Sequence, residues 1–136
     1  MKFFSETILP VTYNGRDSAP YPSLVQVDDN LWMVCMEFSY TSDDGTRYVA
    51  PAGLLTDLTS IPRPLWNILP PFGRYSGAAV IHDALYQAQL TTKEKADDIL
   101  AEALDMANVP HLVKQLIVEG VRVGGQLAWN KHSAEI

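Results

Sequence analysis

His82-Asp83-Ala84-Leu85-Tyr86 places an imidazole, a carboxylate and a phenol within about one helical turn, and Asp97 and Asp98 follow on the next helical stretch. Nowhere else in the chain do a histidine and several carboxylates lie so close in sequence. An imidazole exchanges protons near neutral pH. A carboxylate beside it fixes the tautomer and stabilises the cationic form, which is the orienting half of a catalytic dyad. A proline-containing approach, Thr56-Asp57-Leu58-Thr59-Ser60-Ile61-Pro62-Arg63, brings a further carboxylate, a hydroxyl and a guanidinium towards the same region.

At about 100° per residue, the apolar side of the first helix is centred on Ala78, Ile81, Leu85 and Ala88. His82 lies at its margin, with Tyr86 one turn along on the same edge, and Asp83 points well away. Asp97 falls at the margin of the next helix's stripe, and Asp98 faces the opposite way. The short connection Gln89 to Thr91 makes the two helices antiparallel neighbours, which brings His82 against Asp97. In that arrangement His82 is a general base oriented by Asp97. Asp83 is available to a cation, a loop amide or Arg63, and Asp57 and Ser60 reach in from the proline-rich segment as substrate or loop anchors. A structural reading stands beside this. A histidine hydrogen-bonded to an aspartate on the next helix also satisfies a partly buried polar pair. Asp57 then caps the turn at Thr59 or Ser60, and Tyr86 is an interface aromatic. The residues alone leave both readings open.

Other constellations carry less. There is no Gly-x-Ser-x-Gly elbow to make Ser60 a nucleophile, and no His-Glu-x-x-His. His111 and His132 lie downstream and form no zinc-type cluster. The turn Gly73-Arg74-Tyr75-Ser76-Gly77 offers amides to an anion or simply caps a helix. Trp66, Phe72 and Tyr75 fit a recognition patch or the core equally well.

The elements that would position these groups follow from pattern. Residues 1–50 read as mainly β. Thr7 to Tyr13 is a short strand, with Pro10 favouring an edge. Leu24 to Val27 is a strand, Asp28-Asp29-Asn30 a turn, Leu31 to Tyr40 a long central strand, and Thr46 to Val49 closes a hairpin. Residues 51–74 hold five of the nine prolines together with Leu54, Leu55, Ile61, Leu65, Trp66, Ile68 and Leu69, which reads as a stiff crossover packed on the core. Three helices follow within 75–129. The first runs from Tyr75 or Ser76 to Gln89. The second has Thr91 or Thr92 as N-cap and an apolar stripe of Ala96, Ile99, Leu100, Ala103, Leu104 and Ala107. The third starts near Pro110 and buries Val113, Leu116, Ile117, Val121, Gly124 and Leu127. Residues 130–136 are a polar tail. The fold class is α+β in one domain over 1–136: a small antiparallel β-meander, a packed proline-rich loop and three C-terminal helices.

With 136 residues, 47% of them hydrophobic and 19% charged, the chain can fill a single core without staples. Its net charge is −6, and the ten Lys and Arg are scattered, so the basic footprint of a nucleic-acid binder is missing and acidic membranes are disfavoured. Cys35 is the sole cysteine, which excludes an intrachain disulfide; in Leu31-Trp32-Met33-Val34-Cys35-Met36 it reads as a small buried hydrophobe. The first residues lack the apolar region of a signal peptide, and no run is long enough to span a bilayer. A soluble protein made in the cytoplasm is expected, with incorporation into a particle left open. The oligomeric state is not legible.

Two resemblances add to this. Val49-Ala50-Pro51-Ala52-Gly53-Leu54-Leu55-Thr56-Asp57-Leu58-Thr59-Ser60-Ile61-Pro62-Arg63, then Gly73-Arg74-Tyr75-Ser76-Gly77-Ala78-Ala79-Val80-Ile81-His82-Asp83-Ala84-Leu85-Tyr86, then Ala96-Asp97-Asp98 and Val121-Arg122-Val123-Gly124-Gly125 form an ordered set. It resembles the bacteriophage and prophage proteins of domain-of-unknown-function family 1353. That resemblance implies a phage or prophage origin, other phage proteins as partners and a place in the virion or tail. It carries no activity with it. Locally, His82-Asp83-x-x-Tyr86 followed by Asp97 is similar to the core of secreted calcium-dependent phospholipases. This implies His82 as base, Asp83 as ligand of a divalent cation such as calcium, and Asp97 as orienter. The bracing cysteines of those enzymes are absent, and their glycine-rich calcium loop has no counterpart at the expected distance upstream. Two classes of function follow: a small phage hydrolase, or a non-catalytic virion component or partner-binding module.

Overall fold

The computed structural model describes residues 11–12, 22–57 and 75–135. Six short strands form two three-stranded sheets, and four helices follow. The first sheet has the order β1 (Val11–Thr12), β4 (Phe38–Thr41), β5 (Arg47–Ala50). The second has β2 (Leu24–Asp28), β3 (Leu31–Val34), β6 (Leu55–Thr56). The pairs are antiparallel except β1 with β4, which is parallel. The fold class is α+β.

The single long strand expected over Leu31 to Tyr40 is two strands in different sheets. The chain leaves β3 after Val34, where Gly53 N and Val34 O bond at 2.7 Å and Cys35 N donates to Ser23 O at 2.8 Å, and re-enters pairing at Phe38. Both halves are central, as their two-sided apolar character requires. β2 and β6 clasp the first, β1 and β5 the second. Cys35 sits at this bend and is exposed, so its reading as a buried hydrophobe is corrected. Gly53 adopts φ +91°, a left-handed turn conformation that glycine reaches without a Cβ clash. β5 alternates, with Tyr48 and Ala50 inward and Arg47 and Val49 outward. β2 is an outer edge among the described strands, with Val25 and Val27 exposed.

The central helix is α1 (Ser76–Ala88), ten of whose thirteen residues are buried. Its first turns, Ser76-Gly77-Ala78-Ala79-Val80-Ile81, are small enough for β4, β5 and the other helices to crowd around it. Ala88, expected on the apolar side, is exposed. α2 (Lys93–Met106) starts at Thr92, whose hydroxyl accepts from Lys95 N at 3.1 Å, and its predicted stripe is buried throughout. Asn108 ends this segment at φ 58°. The third helical segment differs from expectation. α3 (His111–Gly124) stops before Gly125, and α4 (Gln126–Glu135) takes in most of the expected frayed tail. α3 buries Ile117, Val118 and Val121, whereas Leu116, Gly124 and Leu127 are exposed. Among the described residues no helix is long and apolar enough to cross a membrane.

One hydrophobic cluster joins Trp32, Val34, Phe38 and Tyr40 of the sheets to Ile81, Leu85, Leu100, Leu104 and Ile117 of the helices. The Tyr40 hydroxyl donates to Glu102 and ties the first sheet to α2. The proline-rich crossover lies outside the described residues from position 58 on, as do the turn at Gly73-Arg74 and the aromatics Trp66 and Phe72. Tyr75 is described and is buried in the core.

Candidate functional site

Residues 82 and 86 lie one turn apart on α1, so their rings stack along one edge with centroids 4.3 Å apart. The chain reverses at Gln89, whose left-handed φ of 51° closes α1, and α2 packs against α1 directly. That packing delivers Asp97. Its Oδ1 lies 2.8 Å from His82 Nε2 and accepts from the Tyr86 hydroxyl at 2.8 Å. Its Oδ2 accepts from Lys93 Nζ at 2.8 Å, one turn back on the same helix. Asp97 is 2% exposed and His82 3%.

Burial alone would raise the Asp97 carboxyl, but hydrogen bonds from His82, Lys93 and Tyr86 outweigh it and hold the group below the usual carboxylate range. An ionised carboxylate only accepts, so Nε2 of His82 carries the proton it shares with Oδ1. Burial, and after it the bond to Asp97, pushes the Tyr86 hydroxyl far above its ordinary range, so it remains a donor. Tyr86 is in turn held by Trp129 of α4, edge to face at 5.1 Å. Asp98 faces outward as expected and pairs with Arg122 at 3.0 Å.

Asp83 does not simply point to solvent. It is half-buried on the other side of His82. Burial raises its carboxyl, hydrogen bonds with Thr56 and Gln87 oppose the rise, and nearby Asp57 adds to it. Asp57 itself is exposed. His82, Asp83, Tyr86 and Asp57 together line a cavity of about 810 Å³. Leu31, Leu55, Val121 and Leu127 give it apolar sides, and Lys131, His132 and Glu135 of α4 form a second polar wall. Among the described residues no three His, Cys, Asp or Glu side chains gather as a metal centre would need.

The expected residues thus divide. His82, Asp97 and Tyr86 are brought into one hydrogen-bonded group, and Asp83 and Asp57 share their cavity. Ser60 and Arg63 lie outside the described residues. Lys93 was not anticipated, although its spacing of four from Asp97 is a legible helix pair. Trp129 left no local signal.

The chain is therefore an α+β protein whose central helix carries a buried histidine that lines a cavity and is paired with an aspartate of the next helix. It belongs to the DUF1353 family, proteins of unknown function, whose model matches residues 32–121. The match spans His82, Lys93 and Asp97 and stops before α4. No curated protein and no solved structure matches the chain.

Proposed function

We propose that this protein is a small hydrolase in which His82 is the general base and Asp97 orients it. The observation that carries the reading is the position of the His82–Asp97 pair. His82 lines a cavity of about 810 Å³, and Asp97 lies behind it, held by Tyr86 and Lys93. In this reading the His82 imidazole, oriented by its bond to Asp97, takes a proton from water. The resulting hydroxide adds to an ester or amide carbonyl carbon to give a tetrahedral intermediate, and the imidazolium gives its proton to the leaving oxygen or nitrogen as the C–O or C–N bond breaks and the carbonyl re-forms. Asp97 stabilises the imidazolium without being protonated. Asp83 and Asp57 meet donor groups of the substrate, and the leucine sides hold its apolar part.

A panel of chromogenic esters and amides tests this. The parent turns over at least one of them, and His82→Ala and Asp97→Asn lose roughly 10²–10⁴-fold in rate, the usual contribution of a positioned base. Unchanged turnover in His82→Ala would sink the reading.

A second reading is favoured by one specific observation. Three donors from two helices converge on Asp97, which is how a fold staples helices together. Under it the protein is a non-catalytic component that binds other phage proteins, consistent with the phage-protein resemblance of its family. Its presence in purified particles at fixed stoichiometry, with no turnover of any substrate, would select it.

A further inference from the structure

We infer that Lys93 is a positioning residue of the His82–Asp97 pair. Its ammonium holds the plane of the carboxylate so that one oxygen faces the imidazole, and it supplies the charge that balances Asp97. The inference deepens the hydrolase reading above, but its test does not depend on turnover.

Asp97 has two oxygens and both are engaged. His82 and Tyr86 share Oδ1, and Lys93 takes Oδ2 at 2.8 Å. A carboxylate rotates about a soft torsion, so two partners on one oxygen do not by themselves stop it from turning. Lys93 does. Its main chain is one turn from Asp97 on the same helix, and its side chain is only 11% exposed, so the ammonium cannot follow a rotating carboxylate. The other side of the ammonium is seated as well. It lies 3.3 Å from Val121 O and 3.5 Å from Arg122 O, in the last turn of α3. Helix C-termini carry partial negative charge and attract cations. An ammonium has three protons, and here three oxygens receive them. α3 ends at Gly124 and the chain turns at Gly125 beside these carbonyls.

The electrostatic consequence is specific. A buried carboxylate needs a counter-charge. Lys93, at 2.8 Å from Oδ2, supplies one from within the same helix, so Asp97 does not need an imidazolium to balance it and Nε2 shares a single proton with Oδ1. That form of the ring is the one a base must have before reaction. A lysine serving only to staple α2 to α3 would leave the ring's tautomer unaffected by its removal.

The experiment is ¹⁵N NMR of protein labelled in histidine at pH 7, with His111→Gln and His132→Gln to assign the three rings. The parent and Lys93→Arg should show His82 as a single neutral tautomer with the proton on Nε2. Lys93→Met, with its folding checked by circular dichroism, should lose that single state and show a protonated or mixed ring. Lys93→Gln, which donates but carries no charge, serves if Lys93→Met does not fold. An unchanged His82 signal in the folded variant overturns the inference. A further measurement uses the parent alone: the Lys93 ammonium protons should exchange slowly enough to be observed at low temperature, and rapid exchange overturns the seating described. Loss of turnover everywhere with the tautomer result intact would sink the hydrolase and leave Lys93's role standing. Persistent turnover with an unmoved tautomer would do the reverse.

Discussion

Buried Asp97 and half-buried Asp83 have opposite consequences for stability. Asp97 titrates lower in the folded chain than its ordinary value because three donors stabilise its anion. Its stabilisation is therefore present above about pH 4 and is lost as pH falls. Asp97→Ala strands the Lys93 ammonium and the Tyr86 hydroxyl, and we expect a loss of roughly 3–5 kcal/mol at pH 7 by chemical denaturation. Asp83 is raised, chiefly by burial. Its contribution is most favourable below about pH 4 and is lost as pH rises through the folded-state value, so at pH 7 the anion is a burden. Asp83→Asn should raise the melting temperature at pH 7 by roughly 2–8 °C, and the gain should vanish when melts are repeated near pH 3. A gain independent of pH would mean that packing, not charge, is responsible. At this scale the sequence was most legible. Helical spacing placed His82 and Tyr86 on one edge and sent Asp98 outward, because such angles depend on the backbone alone. The partners of Asp83 were not legible, since Thr56 comes from a strand and reaches it only through tertiary packing.

The helices and strands were readable where one face is buried. The stripe of α2 and the capping by Thr92 follow from local periodicity and a hydroxyl in the right place. The split of Leu31 to Tyr40 did not follow, because both halves are apolar and only their separate partners distinguish them. The break between α3 and α4 was hidden for a related reason, as glycine lowers helix propensity without fixing where a helix stops. Gly125 is required there by its surroundings. A Cβ built on it would lie 2.6 Å from the Tyr86 hydroxyl and 2.3 Å from Val121 O. Gly125→Ala must therefore displace either the phenol that binds Asp97 or the end of α3. We expect a loss of about 1–3 kcal/mol in denaturant titration, as for overpacking. A Gly124→Ala control should be nearly silent, since nothing lies within 4 Å of a Cβ there.

For the molecule as a whole, α1 is the hub: β4 and β5 of the first sheet and helices α2 and α4 pack against it, and His82, Asp83, Tyr86 and Gln87 along it line the cavity. The α+β class was legible from the order of patterns. The cavity was not, because its walls come from segments far apart in sequence, from Leu31 to α4 at Gln126–Glu135. The outer edge of the second sheet has a consequence of another kind. Among the described residues β2 is the outer strand of its sheet, with Val25 44% and Val27 49% exposed, and outer strands of this kind recruit strands from other molecules. At neutral pH a net charge of −6 keeps copies apart. Near the isoelectric point of about 4.8 that colloidal repulsion disappears while the edge remains. Light scattering should therefore show a solubility minimum close to this pH. Val25→Lys, which puts a charge on the edge, should relieve that minimum by more than the small shift in isoelectric point explains. Handling and storage of the protein are governed by two valines remote from its cavity.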